Sequence, residues 1–494
     1  MEKHQLSKST FIRGVQCLKS LYLYKNRYFL RDALSAEQRA KFVRGIDVGI
    51  LAQSLFPGGS NCQPGSPSQY QKSVLKTGEI IQNVSAETIY EAAFQFDRVL
   101  ILLDILAKVD GQWNAYEIKS SRQISETFLL DAALQYYVLK NSGIQINRFF
   151  LVHLNGNYEF EGSLDLASLF TFVDVTDKIS ELQDFVISKI EEEKSTIALK
   201  NSPKVEIGLH CNRPYPCDFV GHCWKNVPSG SIFGLSAFSD EEKFAFYRQG
   251  IVFADDFSDE QIKDFDAKKR IEIAVAKEKQ PFLDKVKLSS FLGKLDGNVG
   301  LIWFLGHRPA VPAYEKLRPY DLVPVCAGFQ NPITENPEAH FWFNENPDEN
   351  PDERLFSFLE KLSSSVDHLL VYQAGEFKEY LQHLSVRKPE MAEKAGLVLE
   401  KITDLADVFS DDIYFHPALQ GDFDLKNIAG KLLNPGYSKI PAIKSDVLAI
   451  NEYLKHSVTG DQSEKEVFAG AIHDYGRFRL NCLEGFYRFL QTTQ

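Results

Sequence analysis

The chain is predicted to be an α/β protein: an N-terminal mixed sheet, a helical linker and a second α/β region. Three observations carry this. Val99 to Val109 is a loosely alternating apolar run, followed by an Asp110-Gly111 turn and a second strand pattern from Trp113 to Ile118, which together read as a β-hairpin. Residues 231–297 are helical in pattern and rich in acids, after a Val-Pro-Ser-Gly-Ser break. A new buried-strand run then begins at Val299 and includes Trp303 and Leu305. At 494 residues, two or three domains are expected, with bounds at 1–226, 227–297 and 298–494.

Within the first region, Ser35 to Leu55 has helical apolar spacing, closed by Phe56-Pro-Gly-Gly-Ser. The hairpin follows, preceded by a strand around Glu91. A helix from Ile124 to Lys140 and a strand from Ile146 to Leu154 complete an αβββαβ order and a mixed sheet. In the last region, Leu369–Tyr372 reads as a strand, a helix starts at Phe377, and a closing helix runs from about Phe468 to Leu490.

The hairpin carries the chemistry. Asp104 interrupts an apolar strand, and a carboxylate there is costly to desolvate without a partner. Glu117 and Lys119, two residues apart, share one strand face. Two acids and a lysine brought together in this way are satisfied by a divalent cation and a phosphate, which suits metal-dependent phosphodiester cleavage. The competing reading is a surface hairpin with an exposed E-x-K pair.

Seven cysteines in a chain without an N-terminal signal-peptide pattern are expected to be reduced in a cytoplasmic setting. Cys211, Cys217 and Cys223 form a C-x5-C-x5-C cluster, and Cys17 lies far upstream. Clustered thiolates ligate soft metals, as an iron–sulfur cluster or as tetrahedral zinc, with His210 or His222 available as a zinc ligand. Cys62, Cys326 and Cys482 read as isolated buried thiols.

Net charge is −12, which argues against a passive nucleic-acid coat. Ten lysines and arginines against three acids in the first 45 residues nevertheless read either as a local basic face that can steer DNA or as a solvated helical face. Apolar content of 44% suffices for packed cores, and since no run of 18 apolar residues occurs, no membrane span or membrane partner is expected.

The pattern of Asp104, a dozen intervening residues and Glu117-Ile-Lys119 resembles the PD-(D/E)xK nuclease superfamily, closest to its RecB-like branch. That resemblance implies a restriction-endonuclease-like fold. It also implies Mg2+ or Mn2+ on Asp104 and Glu117, with Lys119 orienting water or neutralising the phosphate. The branch usually has a histidine on the first helix; Gly49 stands there, with Asp47 nearby, and Glu91 on the preceding strand is either a further ligand or an exposed or salt-bridged strand acid. A Q-x-x-x-Y element that contacts DNA in such enzymes has its imperfect counterpart in Asp131-Ala-Ala-Leu-Gln135-Tyr-Tyr, so Asp131 and Gln135 are the expected substrate-binding residues. The cysteine pattern is similar to the 4Fe–4S staple of CRISPR-associated RecB-like exonucleases and AddAB-type helicase–nucleases, which implies Cys17, Cys211, Cys217 and Cys223 as cluster ligands.

Nearly the full chain resembles a bacterial family that joins a RecB-like nuclease to an RNase H-like, DEDD exonuclease-like domain. Leu55-Phe-Pro-Gly-Gly, Pro309-Ala-Val-Pro-Ala-Tyr, Arg318-Pro-Tyr and Tyr414-Phe-His-Pro add to the motifs above. The carboxylates implied for the second domain are missing: Trp303 and Leu305 stand in two slots, Phe377 in a third and Cys482 in a fourth. That domain is expected to be catalytically silent, with a scaffolding or binding role that includes a protein partner. The alternative is an unrecognised site of Asp404 and Asp407 or of Asp422 and Asp424, although Asp404 and Asp407 read as surface acids. The expectation is a DNA nuclease, exonucleolytic or single-strand acting, in repair or defence. The alternative is a non-catalytic nucleic-acid-binding or assembly protein of such a complex.

Overall fold

The computed structural model describes residues 3–33, 48–83, 85–332, 338–433, 441–457 and 461–493. Asp47 and most of the helix expected over Ser35–Leu55 lie outside them; its end is a helix over 48–53 that includes Gly49. The chain is mixed α/β and divides into two compact units, one of residues 1–226 with 310–320, the other of 227–309 with 321–494.

The first unit is built on a seven-stranded mixed sheet. Its strands are β1 (Leu6–Ser7), β2 (Ser60–Asn61), β3 (Thr88–Phe96), β4 (Val99–Val109), β5 (Gln112–Lys119), β6 (Ile146–Leu154) and β7 (Phe170–Asp174). The order is β2-β3-β4-β5-β6-β7, with β1 alongside β4. β4 and β5 form the hairpin expected from the sequence. Asp110 and Gly111 both have positive φ, 52° and 75°, as the tight turn requires. β5 and β6 are parallel and are joined through a long helix over Glu126–Asn141.

Opposite faces of this sheet carry separate apolar cores. On one face Phe11, Ala132, Ala133, Val186 and Ile190 pack against Ile101, Leu103 and Phe149. On the other, Val48, Ala52, Tyr116, Val152 and Phe170 are joined by Ala310 and Val311. The 310–320 segment is held there by backbone bonds in both directions with Phe160, to Leu317 O at 3.0 Å and from Lys316 N at 2.9 Å.

The second unit has an antiparallel strand pair, β8 (Phe282–Leu283) with β14 (Tyr414–Phe415), and a five-stranded mixed sheet. Its strands are β9 (Val299–His307), β10 (Val323–Gln330), β11 (Ala339–Phe343), β12 (His368–Val371) and β13 (Ile402–Asp404), in the order β11-β10-β9-β12-β13. β9 pairs antiparallel with β10 and parallel with β12. The closing helix, Gln462–Thr493, contributes Ile472, Tyr475, Leu480 and Phe486 to the core against β9. Residues 231–276 carry an aromatic core of their own, in which Phe238 and Phe257 stack at 5.7 Å. Among the described residues, no helix is long and apolar enough to cross a membrane.

Candidate active site

A fork in the first sheet creates the site. β4 pairs with β3 along one edge, while its other edge is shared. β1 takes Val99 and Leu100 in parallel, and β5 takes Ile105 to Val109 antiparallel. Residues 101–104 pair with neither. Where the ladder to β5 would continue, the Ile118 amide donates instead to Asp104 Oδ2, at 2.6 Å. A side-chain oxygen thus replaces a backbone carbonyl, the two strands part, and Glu117 and Lys119 lie beyond the fork.

The facing strand is irregular at the same level. Tyr90 pairs with Ile105 and Ala92 with Leu103, while Glu91 between them has φ of +52°. A left-handed conformation in a strand is costly for glutamate, and such strain clusters at functional sites.

Four acids and two lysines meet here. Lys119 Nζ lies 2.9 Å from Glu117 Oε1 and 2.6 Å from Asp131 Oδ2. Asp131 comes from the helix Glu126–Asn141, so its ion pair locks the end of β5 to that helix. The second ammonium belongs to Lys8, 2.8 Å from the same Glu117 Oε1. Lys8 opens a helix, α1 (Lys8–Gln16), directly after β1. The Ser7 amide donates to Thr10 Oγ1 at 2.7 Å, which fixes the start of that helix and the position of Lys8. In the sequence Lys8 stood only as one member of a basic N-terminal stretch.

The electrostatics are unbalanced. Burial and the neighbouring Glu117 push the Asp104 carboxyl up to about 8, against the pull of Lys8. Glu91 is also raised, again first by burial. Burial opposes ionisation of Glu117 too, but Lys119 and Lys8 more than offset it and hold that group well below the ordinary range. Glu117 and Asp131 are therefore matched by the two lysines. Asp104 and Glu91 are two acids in excess, the charge of one divalent cation, and oxygen donors of this kind suit a hard ion. Among the described residues, Glu117 Oε2 and Asp131 Oδ1 are buried without hydrogen-bond partners.

Gln135, one helical turn beyond Asp131, is fully buried, and neither amide atom has a partner among the described residues. The structure thus brings together Asp104, Glu117, Lys119, Glu91 and Asp131, and adds Lys8.

The second cluster is made of thiols. Cys17 follows α1 and starts the next helix, α2 (Leu18–Asn26). Cys17, Cys211, Cys217 and Cys223 line one narrow cavity with His210, Phe219 and Ile207, and all four are free thiols. His222 does not line that cavity. Burial raises the Cys17 and Cys223 thiols, in Cys223 against the pull of Lys19. Among the described residues, no three His, Cys, Asp or Glu side chains converge closely enough to hold a single metal ion, at the fork or at the cysteines. A cubane cluster takes one thiolate per iron, so its ligands surround a volume instead of meeting at a point. Four thiols around one apolar cavity fit that donor set.

This cavity is anchored to α1. Arg13 binds both oxygens of Asp218, at 2.5 and 3.1 Å, and Arg31 also pairs with Asp218. Gln16 Nε2 donates to the carbonyls of His210 and Tyr215, both at 2.7 Å.

In the second unit, Trp303, Leu305, Phe377 and Cys482 are all buried in apolar cores. Asp404, expected at the surface, accepts the backbone amides of Gln373, Ala374 and Ala406, so its carboxylate caps a turn. Asp424 caps the helix Leu425–Leu432. A cavity of about 340 Å3 beside β9 is lined by Trp303, Tyr372, Glu376, Asp446 and Arg479.

Residues 304–424 match the model of a family described as a domain of unknown function, DUF2779. No curated protein matches the chain.

Proposed function

We propose that the first unit is a metal-dependent nuclease that hydrolyses phosphodiester bonds in DNA, at ends or in single strands. The observation that carries this reading is the excess of two acids over lysines at the β4–β5 fork, beside an ammonium held in place by Asp131. Asp104 and Glu117 would hold Mg2+ or Mn2+, with Glu91 as a further ligand. A divalent cation bound there supplies Lewis-acid activation of water and offsets charge on the phosphoryl oxygens. Lys119 presents its ammonium to the scissile phosphate, and Asp131 fixes where that ammonium stands. Asp104 keeps the strands apart, so the phosphate has room to enter.

The four cysteines would hold a 4Fe–4S cluster that ties Cys17 to the segment Cys211–Cys223 and so closes the ends of the nuclease region. The strand order β11-β10-β9-β12-β13 supports an RNase H-like arrangement for the second unit. With apolar side chains in its four ligand slots, that unit serves binding or assembly rather than cleavage.

The test is incubation of purified protein with linear duplex and single-stranded DNA, with Mg2+, with Mn2+ and with chelator. Cleavage that requires the cation supports the nuclease. Failure of clean wild-type protein on every substrate would leave the non-catalytic binding role.

A further inference from the structure

We propose that Lys8 is a second phosphate-facing ammonium of this site, stored on Glu117 until a divalent cation takes that carboxylate. The proposal rests on the metal-dependent reading above and deepens it.

Lys8 and Lys119 donate to one and the same oxygen, Glu117 Oε1, at 2.8 and 2.9 Å. One carboxylate does not need two ammonium groups, so one of them is replaceable. Lys119 has a second partner in Asp131 at 2.6 Å, whereas among the described residues Glu117 is the one ion-pair partner of Lys8. Lys8 is also the more exposed of the two, 25% against 15% for the side chain. Lys8 is therefore the ammonium that can leave. The groups that act on it are the acids Glu117, Asp131, Asp104 and Glu91, with Lys119 in opposition. A cation bound by Asp104 and Glu117 would repel Lys8 and remove its partner. Asp131 is already paired with Lys119, so a substrate phosphate is the anion left for Lys8.

The stem of Lys8 has little freedom to drift. Its helix is about 13 Å long by rise per residue. Pairing of Leu6 and Ser7 with β4 holds its start, and the Gln16 bonds to the cysteine segment hold its end. Exchange of Lys8 from Glu117 to phosphate is thus a side-chain movement over a fixed backbone.

The experiment uses Mn2+ titration of the full-length protein by calorimetry, in wild type, Lys8→Ala and Lys8→Arg. Lys8→Ala removes the competitor and is expected to tighten Mn2+ binding about tenfold. At the same time it is expected to raise KM for DNA cleavage about tenfold through the lost phosphate contact. Lys8→Arg should restore both toward wild type. A lysine that merely holds the fold would weaken Mn2+ binding when removed, and unchanged or weaker binding in a cooperatively melting Lys8→Ala protein overturns the proposal.

Amine labelling of the wild-type protein, read by mass spectrometry, needs no variant. Mn2+ is expected to speed labelling of Lys8 relative to Lys119, and protection of Lys8 by Mn2+ contradicts its release. Mn2+ binding that exposes Lys8 in a protein without nuclease activity would refute the proposed function alone.

Discussion

The Ile118 amide donates to Asp104 Oδ2 at 2.6 Å, and with that bond the β4–β5 ladder ends. Asp104 therefore has a structural task separable from metal binding. Asparagine keeps an oxygen for Ile118; alanine leaves a poorly solvated amide without an acceptor. Asp104→Ala is expected to be less stable than Asp104→Asn by about 1–3 kcal/mol, as measured by denaturant unfolding. Equal stability of the two variants would mean that the fork does not depend on this bond.

Asp131 holds the Lys119 ammonium at 2.6 Å. Asp131→Asn is expected to lower kcat about 10–100-fold with little change in KM, the size usual for a partner that orients a site residue. A rise in KM with kcat unchanged would instead place Asp131 in substrate binding.

The hairpin and three site residues were legible in the sequence. An acid inside an apolar strand and an acid–lysine spacing of two are local signals, and the Asp-Gly turn sets the register between them. Lys8 was not legible, because it sits 109 residues from Glu117 and its role depends on a two-residue strand, β1, too short to leave a pattern. Nor was the helix Tyr70–Gln82, where Ser73, Thr77 and Gly78 weaken the helical signal. The attachment of 310–320 to the first unit also escaped, since two backbone bonds to Phe160 carry no residue preference. Asp404 looked exposed because its partners are backbone amides, which a sequence does not display.

The four cysteines around the cavity should behave alike, and the other three should not. Cys17→Ser is expected to remove most bound iron and the broad absorption near roughly 400 nm, and to lower Tm. Cys326→Ala and Cys482→Ala, buried in the other unit, should retain both. A colourless wild-type protein that carries one zinc would replace the cluster by a tetrahedral site.

Glu193 gives stability an uncommon pH dependence. It is fully buried, neither oxygen has a partner among the described residues, and a Cβ at Gly14 of α1 would collide with it. Burial pushes its carboxyl from 4.5 to about 9. The folded state thus holds this proton longer than the unfolded chain does. Its contribution is full below pH 4.5, falls as pH rises, and is gone above about 9. Several kcal/mol are at stake on the scale of about 1.4 kcal/mol per pH unit. Glu193→Gln should flatten this slope and raise Tm most at alkaline pH. A wild-type Tm that climbs from pH 5 to 9 as steeply as that of Glu193→Gln would show an ionised, compensated Glu193.

The second unit should take no part in cleavage. Asp446→Asn and Glu376→Gln, at the cavity beside β9, are expected to leave the rate of DNA hydrolysis unchanged. Loss of activity in either would locate chemistry there.

The most direct test is a paired assay on end-labelled single-stranded DNA with Mn2+, comparing wild type and Asp104→Asn for binding and for cleavage. Wild type is expected to bind and cleave, and Asp104→Asn to bind with similar Kd and cleave at least about a thousandfold more slowly, the loss expected when metal-assisted transition-state stabilisation is removed. Cleavage by Asp104→Asn at the wild-type rate would contradict a cation at the fork.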